Sequence, residues 1–370
     1  MRRMVCQVPY NESLHERAMI GERSTTPGSA WRDRPMVEVW RGERVESLHH
    51  GAAVLVDDAG GVVAALGDPG LATYLRSSAK PAQVLPVILS GAAERFGFTE
   101  SEIAVMIGSH GGEPFHLEAV RSILKRAGIG EEALQCGAHP PFYRPAARAL
   151  RLAGQEPSAL HNNCSGKHAG MLALAAHLGA PIGTYLEPGH PVQQRILEVV
   201  ARLAGVAAGS IGTAVDGCSA PTFAIPLEAA ATLYARLLAP EALPEDLGRA
   251  SRRAVAAMRR YPEMVAGTER LCTDLMRQGG DGLIAKIGAE GFYGLGYVRG
   301  GRGFGLAIKI SDGDGDRARP TAAIDALRQL GVLTGPAADE ILARHVGPIR
   351  NHRGLVVGRV RSCFALAPGA

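Results

Sequence analysis

The sequence predicts an α+β fold in which one antiparallel sheet, built from both chain ends, packs against helices. Strand-like runs cluster between Val37 and Asp68, the middle of the chain is Ala/Leu-rich with helical spacing, and strand-like runs return after Glu290.

Taken in order, VEVWRGE, AAVLVDD and VVAALGD are β-branched runs joined by Gly-rich corners, which is hairpin chemistry. A helix is expected over Ser78–Leu89, where Pro81 falls in the tolerated first turn. Ile103–Ile107 reads as a short buried segment leading into a GSHGGEP loop, and His116–Ala127 has helical spacing. The stretches from Gly166 to about Leu203 and from Glu228 to Arg260 are expected to be mainly helical. GFYGLGYV and GFGLAIKI then form a pair joined by an RGGR corner. Helices near Ala322–Leu330 and Ala337–His345 and a closing GLVVGRVRSCFAL strand complete the chain. Residues 1–34 are polar, Arg-rich and broken by Thr26-Pro27-Gly28-Ser29; they are expected to be a flexible leader or an upstream-start extension, with residues 35–370 as a single domain.

Composition excludes several classes. Of the 370 residues 46% are hydrophobic and 21% charged, a globular balance. The net charge of +4 is dispersed and aromatics are only 5%, so there is no basic stripe with stacking partners for nucleic acid. The weakly charged run Leu203–Leu227 is too rich in Gly, Ala, Thr and Pro to cross a membrane, and Asp216 interrupts it. The N-terminus lacks the apolar core of a signal peptide, so a cytoplasmic location is expected. Six cysteines are widely spread, which suits burial or metal ligation better than a disulfide framework.

Lysine is scarce: of 40 basic residues only Lys80, Lys125, Lys167, Lys286 and Lys309 are lysines. Arginine stays protonated, whereas an amine can act as base, nucleophile or metal ligand, so the remaining lysines are candidates for that chemistry. Ser77 and Lys80 stand at i and i+3 near an expected helix start, where hydroxyl and amine share a face. A desolvated lysine falls from its usual pKa of about 10.4 and can then take a serine proton. The bland alternative is a capping serine and a solvated lysine. Lys286, in Ala-Lys-Ile-Gly, precedes a sheet hairpin, as does the late-strand lysine of serine acyl-enzymes, though Ile287 stands where their K-T-G motif has threonine.

Cys164 and Lys167 fall in the first turn of an expected helix, and Cys218 lies on a distant Asp-Gly-Cys-Ser turn. Two thiolates with a third donor leave an open position on a tetrahedral zinc ion. Residue chemistry alone favours His161 or His168 as that donor; two buried cysteines and a capping lysine are the alternative. The Gly-rich loop carrying Ser109 and His110 lacks the lysine of a phosphate loop, and it either presents a nucleophile or is an ordinary turn.

Together RSSAKP, GSHGGEPFH, CGAHPP, HNNCSGKHAGML, VDGCSAP and AKIGAEG resemble the class 3, rhizobial-type L-asparaginases, the asparaginase II family. The likeness runs from about Val37 to the C-terminus. It implies a serine-β-lactamase-like or penicillin-binding-protein-like fold, a homodimer, and hydrolysis of L-asparagine to L-aspartate and ammonia. Carried over, the catalytic Ser–Lys positions are Ser77 with Lys80, and Ser109 with Lys286. The zinc ligands are Cys164, Lys167 and Cys218, which replaces the histidine preference. Asp216, with Arg76 and His110, falls at the substrate. The mechanism expected from this is attack by Ser77, deprotonated by Lys80, with Ser109 as the alternative nucleophile and zinc orienting the substrate. A β-lactamase-like or DD-peptidase-like hydrolase and a non-catalytic, zinc-stabilised amino-acid-binding protein are the other readings open at this point.

Overall fold

The structure, a computed structural model, describes residues 32–369; the leader expected over residues 1–34 lies almost wholly outside that range. Strands β1 (Arg34–Arg41), β2 (Arg44–Asp57) and β3 (Val62–Leu66) form the N-terminal hairpins. The middle of the chain holds three short strands, β4 (Ala72–Tyr74), β5 (Gly212–Val215) and β6 (Pro221–Pro226). Strands β7 (Leu283–Ile287), β8 (Phe292–Arg299) and β9 (Arg302–Ile310) form a meander, and β10 (Ile349–Arg350), β11 (Val356–Ser362) and β12 (Ala367–Pro368) close the chain.

The expected sheet from both chain ends is present. Its order is β10-β11-β1-β2-β9-β8-β7, with β3 on β2 and β12 on β3 completing nine strands among the described residues, all antiparallel. Strand β2 starts earlier than the sequence suggests, because Arg44–Leu48 is exposed and carries no alternation of apolar and polar residues. The expected Ser78–Leu89 helix is broken into a 3₁₀ turn at Arg76–Ala79 and short helices at Lys80–Gln83 and Leu85–Leu89. Pro81 and Pro86 lack the amide hydrogens that would carry one helix through. Ile103–Ile107 belongs to a helix, Glu100–Ile107, started by a capping box between Thr99 and Glu102. The sequence reading missed the helix Arg144–Leu152 and the small sheet β4-β6-β5.

Glycines let a helix approach the large sheet closely. The helix Leu227–Leu237 lies against β8 and β9, and a Cβ on Gly305 would stand 1.8 Å from the Ala231 carbonyl oxygen. A Cβ on Gly294 would stand 2.2 Å from the Tyr234 ring. Gly305→Ala is therefore expected to destabilise the fold by about 1–3 kcal/mol through overpacking, read as a lower denaturation midpoint. An unchanged midpoint would show that the helix does not lie this close.

The small sheet positions residues distant in sequence. Strand β4 runs directly toward Arg76, while the β5–β6 turn carries Asp216 and Cys218. Ser109 follows the Glu100–Ile107 helix, Cys164 and Lys167 begin the Ser165–Leu178 helix, and Lys286 lies inside β7.

Candidate active site

Lys286 is drawn inward by its strand. Every residue of β7 except Ile287 is fully buried in side chain, and the Lys286 amine has no exposure to solvent. The amine lies 2.8 Å from Ser109 Oγ and 3.2 Å from the Ile287 carbonyl oxygen. Lys80, also fully buried, approaches the same hydroxyl from the other side at 3.1 Å, and donates to the carbonyls of Gly108 and, at 3.4 Å, Asn163. Ser109 is held in place by its own backbone, whose N–H donates to the Val265 carbonyl at 2.8 Å. Two amines thus converge on one hydroxyl.

Burial lowers both amines below the ordinary lysine pKa, because a low-dielectric surrounding disfavours the charged form. Lys286 falls further, since the Lys80 charge adds to its burial. For Lys80 the nearby Cys164 and Cys218 sulfurs oppose the effect of burial.

Ser77 stands apart from this convergence. Its backbone carbonyl accepts the Lys80 N–H, but among the described residues its hydroxyl has no hydrogen-bond partner. It is the neighbour, Ser78, that ties into the sheet: its hydroxyl donates to the Lys286 carbonyl at 2.7 Å and its carbonyl accepts from Tyr234 at 2.7 Å. Just before them Arg76 has φ of 49°, a left-handed conformation that costs a non-glycine residue free energy. The salt bridge from Arg76 to Asp216, 2.8 Å long, holds that conformation. Burial raises the Asp216 pKa, but Lys167 and Arg76 outweigh it and keep the carboxylate below its usual range.

Cys164, Lys167 and Cys218 come together on the far side of Lys80. The Lys167 amine donates to Cys218 Sγ at 3.1 Å. The neighbouring Cys218, together with the Lys80 and Lys167 charges, overcomes burial and holds Cys164 well below the ordinary thiol range. Cys218, beside Cys164 and also buried, is pushed up. Burial pulls Lys167 down, yet Cys218, Cys164 and Asp216 leave it above the usual lysine value. Among the described residues no three His, Cys, Asp or Glu side chains are grouped to hold a metal ion, so neither His161 nor His168 joins the two thiols as a third ligand. His161 instead bonds Ser158, and His168 the Tyr185 hydroxyl.

His110 is brought to the site and tied to the Ser165–Leu178 helix. The Gly112 N–H donates to Nδ1 at 3.2 Å, which leaves the ring proton on Nε2 to donate to Ser165 Oγ at 2.9 Å, and Ser165 donates onward to the Leu160 carbonyl. Both ring nitrogens are used and the side chain is fully buried, which braces the Gly-rich loop against the Ser165–Leu178 helix. His116 stacks on it at 4.8 Å and is held neutral, its pKa pushed down to about 4 by burial.

Sequence reasoning missed Asn163, Tyr234 and Glu113. The first two act through a backbone carbonyl and a distant helix, which leave no motif. Glu113 accepts from the Thr268 N–H and hydroxyl at 2.8 and 2.6 Å and so ties the Gly-rich loop to the segment after Val265.

The family model described as L-asparaginase II matches residues 37–362. The chain belongs to the L-asparaginase II family. Its reaction class follows: the protein is an L-asparaginase-type amide hydrolase. Comparison with curated proteins yields no match. Among solved structures the chain is similar to Mglu at 14% identity and TM-score 0.42, covering 76% of this chain and 67% of Mglu. A second Mglu structure, in its tris and glutamate form, shows 15% identity and TM-score 0.43, with 76% of this chain and 59% of Mglu covered. The likeness is distant, and the family assignment rests on the sequence match.

Proposed function

We propose that the protein hydrolyses L-asparagine to L-aspartate and ammonia through an acyl-enzyme on Ser109. The observation that carries this is the convergence of the Lys80 and Lys286 amines on the Ser109 hydroxyl, at 3.1 and 2.8 Å. Hydrogen-bond partners divide the two amines. Lys80 is surrounded by the Gly108 and Asn163 carbonyls and Ser109 Oγ, which suits an ammonium with three hydrogens to donate. Lys286 has one carbonyl and the serine, which suits a neutral amine that donates to Ile287 and accepts from Ser109.

In this reading Lys286 takes the Ser109 proton as the hydroxyl attacks the side-chain amide carbon, while the Lys80 charge stabilises the developing oxyanion. Lys286 returns the proton to the leaving nitrogen, the C–N bond breaks and ammonia departs. The amine then takes a proton from water as the water oxygen attacks the aspartyl ester, and passes that proton to Ser109 Oγ as the ester C–O bond breaks and aspartate leaves. Ser77, three positions before Lys80, is assigned to the substrate's surroundings together with Arg76 and Asp216.

Zinc is part of the proposal. Cys164, Cys218 and Lys167 supply two sulfurs and an amine, a donor set of the right chemistry for zinc, and the low pKa of Cys164 favours the thiolate a metal needs. When bound, zinc would polarise or anchor substrate groups beside the serine. Wild-type protein is expected to carry stoichiometric zinc and Cys164→Ser to lose it; elemental analysis showing equal zinc in both would reject this ligand set. The proposed assembly is a cytoplasmic homodimer with a serine-β-lactamase-like fold.

Ammonia release from asparagine and glutamine, measured side by side, tests the function. Turnover of asparagine in preference to glutamine is expected. Turnover of neither would reject the reading.

A further inference from the structure

On the face of β7 away from the Lys286 side chain, where Ile287 points, lies a cavity of about 200 Å³. Pockets for drug-sized ligands run to roughly 300–1,000 Å³, so this one suits a smaller molecule. None of Ser109, Lys80 and Lys286 lines it. Four charged side chains do: the cations Arg270 and Arg319 and the carboxylates Glu269 and Asp316.

Arg319 is held rigidly. Its two terminal nitrogens donate to the Gly288 and Gly315 carbonyls at 2.8 and 2.9 Å, which fixes the plane of the guanidinium. Its Nε is buried without a partner, a costly state for a donor. Burial lowers its pKa and Arg270 adds to that, while Tyr293, Cys272 and Asp316 oppose it. Arg270 lies over the Phe142 ring, 6.0 Å from its centre. Among the described residues none of the four charged side chains forms a salt bridge, although two of each sign border one small space. A molecule bearing both signs would complement all four. Arg270 and Arg319 are partly buried and Glu269 and Asp316 exposed, so its anionic end would face inward and its cationic end outward. Glu269 also holds a left-handed φ of 59°, where glycine would be less strained.

We propose that this cavity is a binding site, separate from the Ser109 centre, for a small zwitterion of the α-amino-acid class. Arg319 and Arg270 hold its carboxylate, and Glu269 and Asp316 its ammonium group.

Three matched probes read the two ends by calorimetry: L-alanine, propionate, which lacks the amine, and ethylamine, which lacks the carboxylate. None carries an amide to cleave, so the titrations need no turnover and stand apart from the amidase reading. L-Alanine is expected to bind at one site per chain, and propionate and ethylamine about 10- to 100-fold more weakly. Arg270→Gln should weaken L-alanine by a similar factor, and so should Glu269→Gln. Neither side chain makes a hydrogen bond among the described residues, so both variants test the site even where Arg319→Gln fails to fold. Asp216→Asn, at the proposed substrate surroundings, should bind L-alanine as wild type does. No binding of L-alanine, propionate binding as tight as that of L-alanine, or an unchanged affinity in both cavity variants would overturn the proposal. Loss of L-alanine binding in Asp216→Asn would overturn it too, by placing the amino acid at the Ser109 centre.

Discussion

Lys286→Met is expected to lower kcat for asparagine by about 100- to 10,000-fold, the usual contribution of a general base, while KM changes little. The amine it removes is the one with an open acceptor position toward Ser109, 2.8 Å away. The pH profile supplies the second readout. A base must be neutral, so wild-type kcat/KM should rise with pH through a pKa set below that of free lysine, because burial and the Lys80 charge push Lys286 down. In the variant that limb should vanish. Stability should move the other way. In the window between the depressed folded pKa of Lys286 and its higher unfolded value, the unfolded chain binds the extra proton, so wild-type stability rises with pH there. Methionine removes that proton uptake and the cost of burying an amine, so the denaturation midpoint at neutral pH should be no lower than that of wild type. Wild-type turnover in the variant would move the base to Lys80.

Ser109→Ala should abolish the aspartyl-enzyme and lower kcat by about four to six orders of magnitude. Ser77→Ala should still acylate, since neither lysine amine is bonded to its hydroxyl. Rapid quenching with intact-mass measurement reads both: a mass increase in Ser77→Ala and none in Ser109→Ala is the expected pair. The reverse pair would make Ser77 the nucleophile, with Lys80 as its base. The two outcomes differ because the Ser–x–x–Lys spacing and the folded geometry point Lys80 at different serines.

Much of the fold was open to inspection in the sequence. Alternating β-branched runs at both ends gave the sheet, because a half-buried strand leaves a period of two. The small sheet β4-β6-β5 was not legible: its strands are three to six residues long and lie in a Gly/Ala-rich run. Proline positions near Lys80 were read correctly as tolerable at a helix start, but not as dividing one helix into short pieces.

The site was legible to a lesser depth. Its motifs were recognisable as segments, and the resemblance to class 3 asparaginases placed Ser109, Lys286 and the thiol–amine cluster among them. His110 looked equally exposed to substrate on paper; only folding shows that Gly112 and Ser165 consume both of its nitrogens.

What the sequence by itself determined was the family, the α+β class and the candidacy of a few amines for chemistry, because motif order, strand periodicity and lysine scarcity are properties of the chain. Tertiary structure alone decided which serine hydroxyl the two lysine amines meet. Lys286 and Ser109 are 177 positions apart, and no spacing rule reaches that far. It also lowers both amines below the ordinary lysine range, since burial and neighbouring charge set a pKa, and each exists only after the chain has folded.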